Sequence, residues 1–283
     1  GFIYFSKILA RMDCKNYRIF LSKWRKIEQD LSVEMNEKKA AGIVLYNPEI
    51  DRWIQCLNSI EIQCDKIYLV DNASENKSEI LEVLKKYQSC TLISNKENKG
   101  IATALNQIME AAEADGFKWV LTLDDDSVCD KNMVEKLWEG TTYSNAGIIC
   151  PIAVDDKIGN FNYGKIGFED VYREIEDCIT AGSLTNVEAW RKCSGFDKKM
   201  FIDFVDIEYC VRLRENSYKI IQRTDTCVHQ QYGNVSKTIN FLGITFSIFN
   251  YSPIRIYYSV RNQIYYIHKH KKSINKFKQY LFL

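Results

Sequence analysis

Three consecutive carboxylates, Asp124-Asp125-Asp126, follow the apolar run 119–123. Like charges this close repel, and at the end of a buried strand they are costly unless a cation or a donor compensates. In an extended segment, positions 124 and 126 point the same way. Asp124 and Asp126 can therefore share an oxygen-rich site of the kind Mg2+ or Mn2+ prefers, and such a metal would bridge a diphosphate. The same residues would also serve as a solvated acidic turn ahead of a helix capped by Asp130. The chain has no Gly-x-x-x-x-Gly-Lys-[Ser/Thr] loop and no Gly-x-Gly-x-x-Gly, which favours a metal as the means of holding phosphate charge. A second group reads Phe201-Ile202-Asp203-Phe204-Val205-Asp206-Ile207-Glu208. Asp203 and Asp206 precede or open a helix, where the dipole favours anions. Asp206 is a candidate general base for a hydroxyl nucleophile. The competing reading makes the two aspartates helix caps, with Glu208 paired to Arg212 at i,i+4.

The elements that must position these groups follow from periodicity. Apolar runs at 40–46, 66–71, 91–94, 118–124 and 147–150 read as strands. Between them lie helical stretches at 47–62, 78–87, 101–114 and 130–140, the first with Asn47 as cap and Pro48 as first helical residue. This alternation predicts an α/β fold with a mostly parallel, Rossmann-like sheet flanked by helices. Ligands of such sheets bind beyond the carboxyl ends of the strands, near the reversal of strand order. The polar tips Tyr46-Asn47, Asp71-Asn72-Ala73-Ser74, 95–100 and Asp124-Asp125-Asp126 should therefore converge on one cleft.

Composition narrows the class. The 283 residues are 46% hydrophobic and 27% charged, with 13 Gly and 3 Pro, which is globular rather than disordered or collagen-like. A net charge of +1 excludes a uniformly basic nucleic-acid binder. Ten cysteines without a Cys-x-x-Cys pair, and without a preceding signal peptide, read as buried thiols in a reducing cytoplasm. His229, His268 and His270 are not at zinc spacings relative to them. The apolar stretch 241–249 is about half the ~20 residues needed to span a bilayer.

Read in order, the motifs resemble glycosyltransferase family 2, with the GT-A fold, and within it the bacterial rhamnosyltransferase-like branch. The series is Tyr46-Asn47-Pro48, Val70-Asp71-Asn72-Ala73-Ser74, Asn98-Lys99-Gly100-Ile101-Ala102, Leu121 to Ser127 around the acidic triplet, Ala181-Gly182-Ser183, Gly195-Phe196-Asp197, the segment 201–208, and Arg261-Asn262. The resemblance implies an inverting transfer of a sugar, from dTDP-rhamnose or alternatively a UDP-hexose or UDP-galactofuranose, to a hydroxyl of a saccharide or lipid-linked acceptor. It implies Asp71 on the nucleotide base, with Tyr46, Asn47, Asn98 and Gly100 lining the nucleotide pocket. Asp124, Asp125 and Asp126 correspond to the family's Asp-x-Asp, with Mn2+ or Mg2+ on Asp124 and Asp126. Gly182 and Ser183 would face donor and acceptor sugars, and Asp206 would be the base. His229 would add a metal or phosphate contact, although His229-Gln230-Gln231-Tyr232-Gly233 is one residue longer than the family's His-x-x-Gly. Val205 replaces the acidic residue many relatives carry before the base. Two rival readings are a dehalogenase-type phosphatase with Asp124 as nucleophile, and a non-catalytic nucleotide-sugar binder or membrane adaptor.

Three regions are expected: a basic, aromatic N-terminal appendage or helix at 1–38, with a native start near Met35 as one reading; a GT-A domain at 39–240; and a helical, basic and aromatic tail at 241–283. Residues 226–283 hold eight Lys/Arg and no Asp/Glu, and 241–283 hold eleven Phe/Tyr. That chemistry suits a surface helix on an anionic membrane, a helix packed on the core, or an oligomer contact. The expected location is cytoplasmic, on the inner face of the cell membrane, with no nucleic-acid partner.

Overall fold

The computed structural model describes Lys23 and residues 38–155, 159–160, 170–230, 235–241, 244–249 and 251–274. The expected appendage, apart from Lys23 and Lys38, lies outside them, as do Gln231-Tyr232-Gly233 and the final lysines 276 and 278. Residues 39–283 make one compact unit.

Its first half alternates strand and helix: β1 (Ala40–Leu45), α1 (Ile50–Glu61), β2 (Lys66–Asp71), α2 (Lys77–Leu84), β3 (Cys90–Ser94), α3 (Ile101–Ala114) and β4 (Trp119–Asp124). The strands lie parallel in the order β3-β2-β1-β4. Successive strand residues serve opposite cores, as the period of two requires. Ala41, Ile43, Leu45, Ile67 and Leu69 pack in one core with Trp53, Leu57 and Ile60 of α1. Ala40, Tyr68 and Val70 belong to the other, with Leu105, Ile108 and Met109 of α3. The buried residues of α1, Trp53, Cys56, Leu57 and Ile60, follow the i, i+3, i+4, i+7 stripe of a helix with one apolar face. Removing such a side chain, as in Leu57→Ala, costs about 2–5 kcal/mol. Gly42 lets α3 approach β1, because a Cβ there would lie 2.1 Å from Ile108 Cγ2.

The second half is mixed. It comprises β5 (Val128–Cys129), α4 (Met133–Glu139), β6 (Ala146–Asp155), β7 (Gly159–Asn160), β8 (Tyr172–Ile175), β9 (Ser183–Asn186), α5 (Val187–Lys192), α6 (Val205–Glu215) and β10 (Lys219–Gln230). Strand β9 inserts antiparallel between β4 and β6, β10 runs parallel to β6, and β5 and β8 pair antiparallel with β10. A separate hairpin, β11 (Val235–Phe241) with β12 (Ile244–Phe249), precedes α7 (Pro253–Lys269). The tail expected to be helical from 241 is thus strand at Phe241 and over Ile244–Phe249. Phe246 and Ile248 alternate with Thr245 and Ser247, a strand period. Helix α7 starts where Ser252 Oγ accepts the Arg255 N–H and Pro253 takes the first turn.

Two helix starts also differ from expectation. Asn47 does not cap α1: it sits at φ 51°, and its Oδ1 accepts the Glu75 N–H at 2.7 Å, so α1 begins at Ile50. Asp130 does not cap α4. Its carboxylate accepts the Cys227 N–H at 2.8 Å and α4 begins at Met133. The nine described cysteines are free thiols.

Candidate active site

Beyond the carboxyl ends of β1 to β4 opens a cavity of about 600 Å3, and the strand tips do converge there through Tyr46, Asn72, Asn98, Gly100 and Asp124-Asp125-Asp126. The facing wall is the segment Phe201 to Asp206, with Tyr251 and Arg255 at the start of α7. The position agrees with the reversal of strand order between β1 and β4.

The acidic residues form a turn, not the extended segment expected. The Ser127 N–H donates to the Asp124 carbonyl at 3.2 Å, and Ser127 Oγ accepts the Asp124 N–H at 3.3 Å. Arg52 Nε pins the turn by donating to the Asp126 carbonyl at 2.8 Å. Gln230 Nε2 donates to Asp124 Oδ2 at 3.4 Å and to Ser127 Oγ at 3.1 Å. Burial first, then the charges of Asp126 and Asp206, push the Asp124 carboxyl up to about 7, with Gln230 and Arg255 opposing. Burial and the charges of Asp124 and Asp126 push Asp125 up to about 7 as well.

The segment that leads into Asp206 is held under strain. Asp203 and Phe204 have φ 62° and 64°, and each such non-glycine residue costs on the order of 1–3 kcal/mol. The fully buried Asn262 of α7 donates from Nδ2 to the carbonyls of Ile202 at 2.6 Å and Asp203 at 3.0 Å. From the strand side, the Ile101 N–H donates to the Phe201 carbonyl at 2.8 Å. This approach needs glycine at position 100, where φ is +80° and a Cβ would stand 2.6 Å from that carbonyl oxygen. Asp206 is the second residue of α6, and its Oδ1 accepts the Ile207 N–H at 2.9 Å. Burial raises its carboxyl to about 6 against the lowering effect of backbone N–H groups, and Asp203 and Asp177 add to the rise.

The opposite face of α6 is locked. Fully buried Glu208 takes a two-pronged contact from Arg212 at 2.7 and 2.6 Å, one from Lys269 at 2.7 Å and one from His270 at 3.0 Å. Burial alone would raise the Glu208 carboxyl, but these donors hold it down at about 2. The expected Glu208–Arg212 pair is therefore present, and Asp206 is free of it.

Tyr46, Asn98, Gly100, Asp124, Asp125, Asp126 and Asp206 line the cavity, while Asn47, Asp71, Gly182, Ser183 and His229 are not among its lining residues. Ser183 is buried in β9, where Oγ donates to the Ile179 carbonyl at 2.6 Å. Gly182 turns the chain into that strand at φ +81°, and Ile179 and Thr180 face the cavity in their place. Asp71 is fully buried with Oδ1 on the Ser74 N–H, and its Oδ2 has no partner. His229 faces away from the acidic turn, with Nε2 3.2 Å from Asp130 Oδ1. Gln230, unmarked in the sequence reading, takes the place expected for His229. Alternation along β10 points residues 228 and 230 inward together and 229 outward. Arg255 and Asn262 are the other residues that sequence reasoning left without a role.

A divalent ion suits this chemistry. Asp124 and Asp126 are hard oxygen donors in a crowded acidic cavity that a cation would relieve. Among the described residues no three His, Cys, Asp or Glu side chains are grouped to hold a metal, so further oxygens would come from the ligand or water.

A parallel four-strand half, an antiparallel β9 and an acidic turn facing a carboxylate across one cavity define a glycosyltransferase of the GT-A fold. Residues 41–204 match the model of glycosyl transferase family 2, and the chain belongs to that family. The phosphatase reading falls with this assignment. The dTDP-rhamnosyl transferase RfbF of Shigella flexneri is 26% identical over 247 residues, covering 83% of this chain and 81% of the relative. Among solved structures, S. aureus TarS 1-349 in complex with UDP superposes at TM-score 0.56 with 13% identity, over 69% of this chain and 61% of that one. GalNAc-T7 with UDP, GalNAc and Mn2+ gives TM-score 0.59 with 11% identity, over 82% and 48%. The chain thus spans less than two thirds of either structure's length, and the likeness speaks for the fold.

Proposed function

We propose that the protein is an inverting, metal-dependent glycosyltransferase that moves rhamnose from dTDP-rhamnose to a hydroxyl of a saccharide or lipid-linked acceptor in bacterial cell-surface polysaccharide synthesis. The carrying observation is that the acidic turn and Asp206 face one cavity, close enough for the charge of Asp206 to raise the Asp124 pKa. The similarity to a dTDP-rhamnosyl transferase supports the donor.

Asp124 and Asp126 would hold Mn2+ or Mg2+, which supplies charge neutralisation at the diphosphate leaving group. Asp206, ionised, accepts the proton of the acceptor hydroxyl. That oxygen bonds to the anomeric carbon from the face opposite the diphosphate, and the C–O bond to phosphate breaks with its electron pair leaving on the nucleotide. Tyr46, Asn98 and Gly100 line the donor side and hold it against the base, and this alignment supplies much of the rate.

No described helix is long and apolar enough to cross a membrane. Helix α7 nevertheless exposes Ile254, Ile256, Tyr257, Val260 and Ile264, and Lys271 and Lys272 follow it. This supports peripheral contact with an anionic leaflet.

A thermal-shift screen of dTDP, dTDP-rhamnose, UDP and UDP-glucose, with Mn2+ or with EDTA, tests the reading. The largest stabilisation is expected from dTDP-rhamnose with Mn2+, followed by transfer to a saccharide acceptor. Equal responses to every nucleotide, indifferent to metal, would remove the metal site, whereas preference for UDP-glucose would reassign the donor.

A further inference from the structure

The cavity wall carries five carboxylates, Asp124, Asp125, Asp126, Asp203 and Asp206, and among the described lining residues one cation, Arg255. A diphosphate entering this field meets repulsion that a single divalent ion on Asp124 and Asp126 offsets only in part. Arg255 is poised in an unusual way. Its Nη2 donates to Asp203 Oδ1 at 3.2 Å, and the Tyr251 ring lies 4.1 Å from its Cζ. Its Nε is buried and has no acceptor. A buried N–H without a partner is costly and calls for an explanation. Nε–H and an Nη N–H on one edge of a guanidinium form a planar fork that matches two oxygens of a phosphate. Lys could not present that fork.

The direction of this charge matters. Arg255 and the acidic turn Asp124-Asp125-Asp126 line the same cavity, so the guanidinium faces the space where the diphosphate belongs. The stacking on Tyr251 restricts the side chain and reduces the ordering cost of binding.

We propose that Arg255 is a diphosphate-binding residue of the donor site, its Nε edge donating to phosphate oxygens and its charge stabilising the departing nucleoside diphosphate. The proposal rests on the nucleotide-sugar reading above. It adds to the leaving-group site a contact delivered by α7, the helix that also carries Asn262. When the phosphate binds, Asp203 shares or yields its hold on Nη2, an exchange of one anionic partner for another.

Affinities of dTDP and UDP, measured by calorimetry in Mn2+, should be compared with those of thymidine and uridine, measured by NMR titration, in wild type, Arg255→Gln and Arg255→Lys. Loss of a charge-assisted fork predicts about tenfold or more weaker diphosphate binding in Arg255→Gln, with nucleoside affinity unchanged. Arg255→Lys keeps the charge but not the fork and should fall between. Thermal midpoints of all three proteins establish that the variants are folded, and the half-exposed pair with Asp203 makes a large loss unexpected. If the wild type binds dTDP or UDP and Arg255→Gln leaves the diphosphate-to-nucleoside ratio unchanged, Arg255 is only a structural partner of Asp203 and the proposal is overturned. An equal loss for nucleosides and diphosphates overturns it in the same way. If the wild type binds none of these ligands, the nucleotide-sugar reading itself fails and this inference with it.

Discussion

Asn262 Nδ2 donates to the backbone carbonyl of Asp203 at 3.0 Å, so a buried amide on α7 holds the left-handed turn that aims Asp206 from the start of α6. This contact and its twin to Ile202 help to hold Asp203 and Phe204 in their strained conformation.

Asn262→Ala should leave two carbonyls unsatisfied and lower stability by about 1–3 kcal/mol, read from urea unfolding. The turn can then relax away from its strained geometry. A displacement of about 1 Å at the base costs up to about 100-fold in rate, so kcat should fall while dTDP affinity stays. A variant that loses donor affinity and keeps kcat would show that the clamp serves the donor side instead.

The pH dependence of transfer follows from Asp206. Its carboxyl is raised to about 6, and only the ionised form accepts a proton. Transfer should therefore rise as pH climbs through about 6 and decline below it. Asp206→Asn should lose about 100- to 10,000-fold in kcat, lack this limb, and still bind dTDP in Mn2+. Retained transfer in Asp206→Asn would place the base elsewhere.

Glu208 and His270 predict two different stability limbs. The Glu208 carboxyl lies at about 2, below its ordinary 4.5, so its contribution is present above 4.5 and lost only as pH falls through about 2. For His270, burial works against the proton, but its hydrogen bonds to Glu208 and Glu215, which accept them, raise its pKa above 6.5. Its contribution is complete below 6.5 and fades as pH rises through the raised value. Thermal midpoints should fall as pH rises above 6.5 through the raised value, and His270→Gln should flatten that limb. Glu208→Gln, which strands buried cations, should cost about 3–5 kcal/mol.

The parallel half of the fold was legible because each strand is an apolar run and each helix shows a full amphipathic period. The bounds of β2 and α3, Lys66–Asp71 and Ile101–Ala114, follow directly. Strand β9, only Ser183–Asn186, was not legible: four residues cannot display an alternation, and Ser183 takes its inward place through pairing with Thr122. The acidic turn stood out because three consecutive carboxylates are unusual after an apolar run, and Asp206 because it opens a helix. Gln230 did not, since an amide carries no signature of its own and a histidine beside it draws attention. Gln230→Leu should weaken Mn2+-dependent dTDP binding by several-fold, through loss of its contacts to Asp124 and Ser127, whereas His229→Ala should leave it intact. Calorimetry on both variants separates them, and the opposite order would restore the histidine to the site.

The family match ends at residue 204, two positions short of Asp206 and well before α7. A fragment trimmed to those limits would carry the acidic turn but neither Asp206, the proposed base, nor the amide and guanidinium that α7 contributes. A graft of the matched segment into a relative should therefore take α7 with it, because Arg255 and Asn262 hold the turn before α6 while Lys269 and the adjoining His270 hold Glu208 within it.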